Sequence, residues 1–163
     1  FNRPVTVVMI DMDRFKTVND GHDHLFGSFV LSEVGKIIKA STRNVDIPAR
    51  YGGDEFLIIL SETPLSGVEH FCERLRKRVE QTIFSQGKDS IQMTLSIGHS
   101  SSVGASEGLT AKELVRRADA ALYQAKKDGR NRVAAYQGTA TAPAHDIQRS
   151  SVIDLFQKPR KSA

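Results

Sequence analysis

An α+β fold, with helices on one face of a mainly antiparallel sheet, is predicted by two observations. Segments of strand-like and helix-like periodicity alternate along the chain, and an antiparallel hairpin is inserted among them. At 163 residues the chain is one domain of ordinary size, able to bury a sizeable core.

The elements follow in order. Val5 to Ile10 reads as a buried strand, and it runs directly into Asp11-Met12-Asp13. Phe26, Phe29, Val30, Val34, Ile37 and Ile38 recur at helical spacing and predict a helix from about Leu25 to Ser41. Gly52 and Gly53 predict a tight hairpin loop, since consecutive glycines accept positive φ at both centres and let a ligand approach the backbone. Asp54 and Glu55 ride on that loop, just before the apolar run Phe56 to Leu60. A second helical stripe comprises Val68, Phe71, Cys72, Leu75, Val79 and Ile83, and Met93, Leu95 and Ile97 alternate with polar residues as in a half-buried strand. Thr110 and Glu113 have capping-box spacing at the head of a last helix, which Gly129 is placed to end. Val133 to Tyr136 is a final short strand. From Gln137 the composition turns to Thr, Ala, Pro and Ser, so the domain is assigned to 1–136 and a largely disordered tail to 137–163. A short docking or helical piece at Val152 to Phe156 is the alternative within it.

Composition narrows the function classes. The formal charge is +4, but the tail holds Arg149, Lys158, Arg160 and Lys161 against Asp146 and Asp154. The body therefore carries only half of the excess, which is not the footprint of a nucleic-acid binder. No stretch approaches the roughly 18 apolar residues of a membrane span, and no basic-then-apolar leader opens the chain. The domain is thus expected to be soluble, cytoplasmic and without membrane contact. The single Cys72 excludes an intrachain disulfide and fits a reducing compartment.

Gly-Gly-Asp-Glu alone is equally an ordinary hairpin with a solvated acidic edge. Carboxylates at the end of a buried strand, together with carboxylates on a hairpin, are what a magnesium-dependent phosphoryl-transfer site requires. The ordered blocks are Asp11-Met12-Asp13-Arg14-Phe15-Lys16 to Asp20, His24, Gly27, Arg50 to Phe56, Ala118-Asp119, Ala121 to Lys126 and Gly129-Arg130-Asn131. Together they resemble the signature of the GGDEF family, the diguanylate cyclases, over roughly residues 5 to 136.

That resemblance implies a ferredoxin-like core like that of nucleotidyl cyclases and polymerase palms. It implies Mg2+, with Mn2+ as the alternative, held by Asp11, Asp54, Glu55 and the Met12 carbonyl. Asp54 is the better candidate for the catalytic base and Glu55 for a second metal ligand, although two coupled carboxylates resist such assignment. Lys16, Lys126 and Arg130 match positions that grip the triphosphate. Lys126 and Arg130, four apart at the end of one helix, are expected on one face, where a solvated basic face is the plainer reading. Phe15, Gly52 and Gly53 complete the substrate set, and Asn19 and His24 hold the base. Arg43 and Asp46, with Arg74 on the following helix, match an inhibitory product site. Because each of two domains presents one nucleotide, a homodimer is implied. Relatives also carry an N-terminal helix and a sensory module ahead of the position of Phe1, so a fragment of a longer protein is expected.

The base site departs from the family pattern at Asp23, where Gly is usual, and at Ser28, where Asp is usual. A carboxylate accepts from guanine N1–H and its amine; a hydroxyl donates or accepts and so also meets adenine N1. This resembles the hybrid promiscuous branch, which takes GTP and ATP and makes cyclic GMP-AMP beside cyclic di-GMP. A GTP-only enzyme, a non-catalytic cyclic dinucleotide or GTP receptor, and a mononucleotide cyclase remain the rivals.

Overall fold

In a computed structural model of the chain, residues 3–103 and 109–138 are described. A five-stranded sheet of order β2-β3-β1-β6-β7 forms the frame. Its central strand β1 (Val5–Met12) pairs antiparallel with β3 (Glu55–Ser61) and with β6 (Leu95–Ser101). The edge strand β2 (Ile47–Arg50) is antiparallel to β3, and β7 (Val133–Ala135) is parallel to β6.

The helices cover both faces of the sheet rather than one. Val8, Ile10 and Met12 of β1 pack with α2 (His24–Ser41) and α3 (Leu65–Glu80), whereas Val7 and Met9 pack with Leu114, Val115, Ala118 and Leu122 of α4 (Ala111–Lys127). A strand alternates its side chains, so a central strand sandwiched in this way is apolar on both faces, and β1 is so at all positions but Thr6 and Asp11. The approach of α4 to the sheet depends on Gly98. A Cβ there would lie 2.0 Å from the Leu122 nitrogen and 2.5 Å from the Ala118 oxygen.

Three local expectations are corrected. Ile83 leaves the helical stripe, because α3 closes with Thr82 N donating to the Val79 carbonyl and Ile83 opens β4 (Ile83–Gln86). That strand and β5 (Asp89–Gln92) form a separate two-stranded hairpin around Gly87, at φ 61°, which the sequence reading did not find. Its strands are four residues each and mix Ile83, Phe84 and Ile91 with polar residues. Met93 is buried but precedes β6, and a helix α1 (Phe15–Gly21) lies between β1 and α2. Its break from α2 has a local cause: the Asp23 side chain accepts from Phe26 N at 2.8 Å and caps the new helix. Thr110 caps α4 through Glu113 N as expected, but the Glu113 carboxylate turns to Arg116 and Arg117. These guanidinium partners hold its pKa down at about 2. The Val152 to Phe156 piece lies outside the described residues.

Candidate active site

Strand parity sets the acidic centre. Asp11 continues the Val7, Met9 series and so faces α4, where Lys126 Nζ lies 2.7 Å from its carboxylate. Glu55 stands directly opposite Asp11 across the β1–β3 ladder, and the Asp54 carbonyl accepts from Met12 N at 3.1 Å. Burial raises the pKa of Asp11 to about 6. Lys126 opposes that rise, and the nearby Asp54 and Glu55 charges add to it.

The Gly-Gly loop does not use the conformation expected of it. Positive-φ glycines among the described residues are Gly87, Gly129 and Gly138, so neither Gly52 nor Gly53 is left-handed. Instead the loop is held by Arg50, whose guanidinium donates to the carbonyls of Gly52 and Gly53. Tyr51 N and Gly52 N both donate to the Glu55 carbonyl. A Cβ at Gly53 would meet nothing within 4 Å, so glycine there leaves open space beside the carboxylates.

A cleft of about 370 Å³ opens beside this hairpin. Phe15, Lys16 and Asn19 of α1, His24 and Ser28 of α2, and Gly53 and Asp54, all named in the sequence reading, line it together. Leu31 and Arg50 line it as well and were not foreseen as site residues, although Arg50 heads the hairpin motif. Gly27 positions Asn19, for the place of a Cβ at Gly27 is taken by Asn19 Oδ1, 1.9 Å away. Ser28 is exposed in the cleft.

Lys126 and Arg130 do not share a helical face. Helix α4 ends at Lys127, Gly129 at φ 115° turns the chain, and Arg130 N reaches back to the Ala125 carbonyl at 3.0 Å. Arg130 therefore stands in a turn past the helix.

Among the described residues, no three carboxylate, imidazole or thiol groups form a ready metal cage. The donor set nevertheless fits a hard cation that takes part of its shell from phosphate oxygens: carboxylates of Asp11, Asp54 and Glu55 within electrostatic reach of one another, beside the Met12 backbone.

The expected product-site residues are separately engaged. Arg43 forks onto Asp46 with hydrogen bonds of 3.1 and 3.0 Å, and it also donates to the Ser61 carbonyl and Thr63 Oγ1. The Asp46 side chain is 2% exposed, and this pairing lowers its pKa against the pull of burial. Arg74 lies over the Phe71 ring, along a groove of about 680 Å³ on α3 that neither Arg43 nor Asp46 lines.

The fold and this site define a class of α+β domain with an acidic centre at one end of its sheet, and comparison with known proteins specifies it. A family model for the diguanylate cyclase GGDEF domain matches residues 2–132, and the chain belongs to that family. It is 47% identical over 129 residues to diguanylate cyclase A of Treponema denticola, covering 79% of this chain and 34% of that protein. Response regulator PleD of Caulobacter vibrioides is 40% identical over 132 residues, covering 80% and 29%. The solved GGDEF domain of DgcB from Caulobacter crescentus, in complex with c-di-GMP, matches with TM-score 0.77 at 31% identity, covering 82% of this chain and 78% of that one. An active GGEEF domain of a Vibrio cholerae diguanylate cyclase matches with TM-score 0.75 at 32% identity, covering 83% and 84%. The chain spans about a third of the length of these curated relatives. No helix among the described residues is long and apolar enough to cross a membrane.

Proposed function

We propose that the domain condenses two molecules of GTP into cyclic di-GMP with release of two pyrophosphates. The observation that carries this reading is the cleft itself, which Lys16, Asn19 and Ser28 line together with Arg50, Gly53 and Asp54 of the hairpin, in a fold that also forms the Asp11–Lys126 pair. Asn19 and His24 orient the base. Lys16, Lys126 and Arg130 meet the triphosphate, and Asp54 accepts the proton of the attacking 3′-hydroxyl. Asp11, Asp54, Glu55 and the Met12 carbonyl would hold Mg2+, with Mn2+ the alternative. When bound, the cation supplies charge to the α-phosphate and lowers the pKa of the hydroxyl. Each 3′-hydroxyl must attack the α-phosphate of the other nucleotide, so two copies of the domain face one another and positioning supplies much of the rate. Incubation with GTP and Mg2+ is expected to give cyclic di-GMP through a linear dinucleotide; a product cyclised within one nucleotide would overturn the reading.

A second reading concerns base choice. Ser28 places a hydroxyl where a carboxylate would oppose adenine N1, a mismatch of roughly 1–3 kcal/mol. Its removal extends the substrate range to ATP and the product range to cyclic GMP-AMP. With equal GTP and ATP, wild type is expected to give the mixed product and Ser28→Asp chiefly cyclic di-GMP. Cyclic di-GMP alone from both would leave a GTP-only enzyme, and the same mixture from both would show that Ser28 does not set base choice.

Product feedback at Arg43, Asp46 and Arg74 belongs to the same proposal. To bind a guanine-containing cyclic dinucleotide, Arg43 must exchange its Asp46 partner for the ligand. Arg43→Ala is expected to abolish product inhibition; retained inhibition would exclude the site.

A further inference from the structure

Arg130 is presented by a turn, not by a helix, and that turn is unfavourable in itself. Among the described residues, the non-glycine residues with positive φ are Arg14, Glu62, Arg130 and Asn131, and three of these four surround the site. Arg130 at 64° and Asn131 at 46° are consecutive, a conformation that persists only where the surroundings enforce it.

One group that holds the turn is Asp13. Its side chain is buried beyond the end of β1, where Ser96 Oγ donates at 2.6 Å, Thr94 Oγ1 at 2.7 Å and Asn131 N at 3.0 Å. The first two donors fix the carboxylate against the chain entering and starting β6. The third transfers that fixed position to the turn. On its other side, the Asn131 side chain is held by α3, accepting from Arg76 at 2.6 Å and donating to Glu80 at 2.7 Å.

We propose that Asp13 is a positioning residue for the triphosphate: it locks the Arg130–Asn131 turn and so sets the Arg130 guanidinium relative to the Asp11–Lys126 pair. The inference rests on the cyclase reading. Asp13 touches no substrate; it acts through Arg130.

The test is calorimetric titration of a non-hydrolysable GTP analogue and of GMP, with Mg2+ in excess. Asp13→Asn is expected to weaken the triphosphate analogue about tenfold, the scale of one charge-assisted hydrogen bond, and to leave GMP unchanged. In an Arg130→Ala background the same substitution should add nothing. Thr94→Val, which removes a donor that fixes the Asp13 carboxylate, should reproduce the selective loss in part and serves if Asp13→Asn does not fold. Equal losses for both ligands, or a loss fully additive with Arg130→Ala, would reduce Asp13 to a structural residue. If wild type binds the analogue and Asp13→Asn binds it equally, the proposal alone fails. If wild type binds no triphosphate, the cyclase reading fails and the proposal with it.

Discussion

Asp11 carries a cost that the fold accepts for the sake of its site. A carboxyl whose pKa rises from 3.8 to about 6 binds its proton more tightly folded than unfolded. Stability therefore falls as pH rises through that window, by about 3 kcal/mol in full, at about 1.4 kcal/mol per unit. Asp11→Asn removes this term but leaves Lys126 without its anionic partner. In EDTA the variant should melt above wild type at pH 7.5 and converge with it near pH 4, while losing cyclase activity. Equal melting curves at pH 7.5 would show that Lys126 fully offsets the burial. The acidic and basic residues that the structure gathers were legible because they stand in an ordered family motif, whose types and spacing suit phosphate and a hard cation. Asp13 was not singled out, because a buried carboxylate satisfied by Thr94, Ser96 and a backbone amide has no pattern along the chain. The placement of Arg130 was misread for a related reason: helical spacing was extended past Gly129, where the backbone turns left-handed.

At the level of elements, two glycines are contact surfaces. Gly98→Ala drives a methyl group into the backbone of α4, which cannot yield as a side chain could. A loss of about 3 kcal/mol in urea denaturation is expected, and a neutral result would place α4 elsewhere. Gly27→Ala instead displaces the movable Asn19 side chain. It should leave stability nearly intact and weaken GTP binding about tenfold, the loss of one good hydrogen bond with its geometry; unchanged affinity would remove Asn19 from the base site. The long helices were readable because apolar residues repeat at helical spacing over four turns or more. Helix α1 and the β4–β5 hairpin escaped because seven and four residues are too few to establish a period. The coverage of both sheet faces was implicit in the consecutive apolar residues Val7 to Ile10 of β1, which a sheet with one wet face would not need.

Across the whole molecule, the proposed reading gives one cleft to one nucleotide, and the sheet presents its acidic centre at one end. The ring of a cyclic dinucleotide needs two such centres opposed, so turnover should grow with the square of protein concentration where the domains are mainly monomeric. Rates strictly proportional to concentration from nanomolar upward would contradict assembly as the limiting step. The most direct test of the account is to follow the protein with GTP and Mg2+ by mass spectrometry, beside Asp54→Asn. The account predicts cyclic di-GMP and two pyrophosphates from wild type, and bound but unreacted GTP in the variant. Wild type that binds GTP and never converts it, or a variant that converts it equally well, would contradict the assignment of this cleft as the catalytic centre.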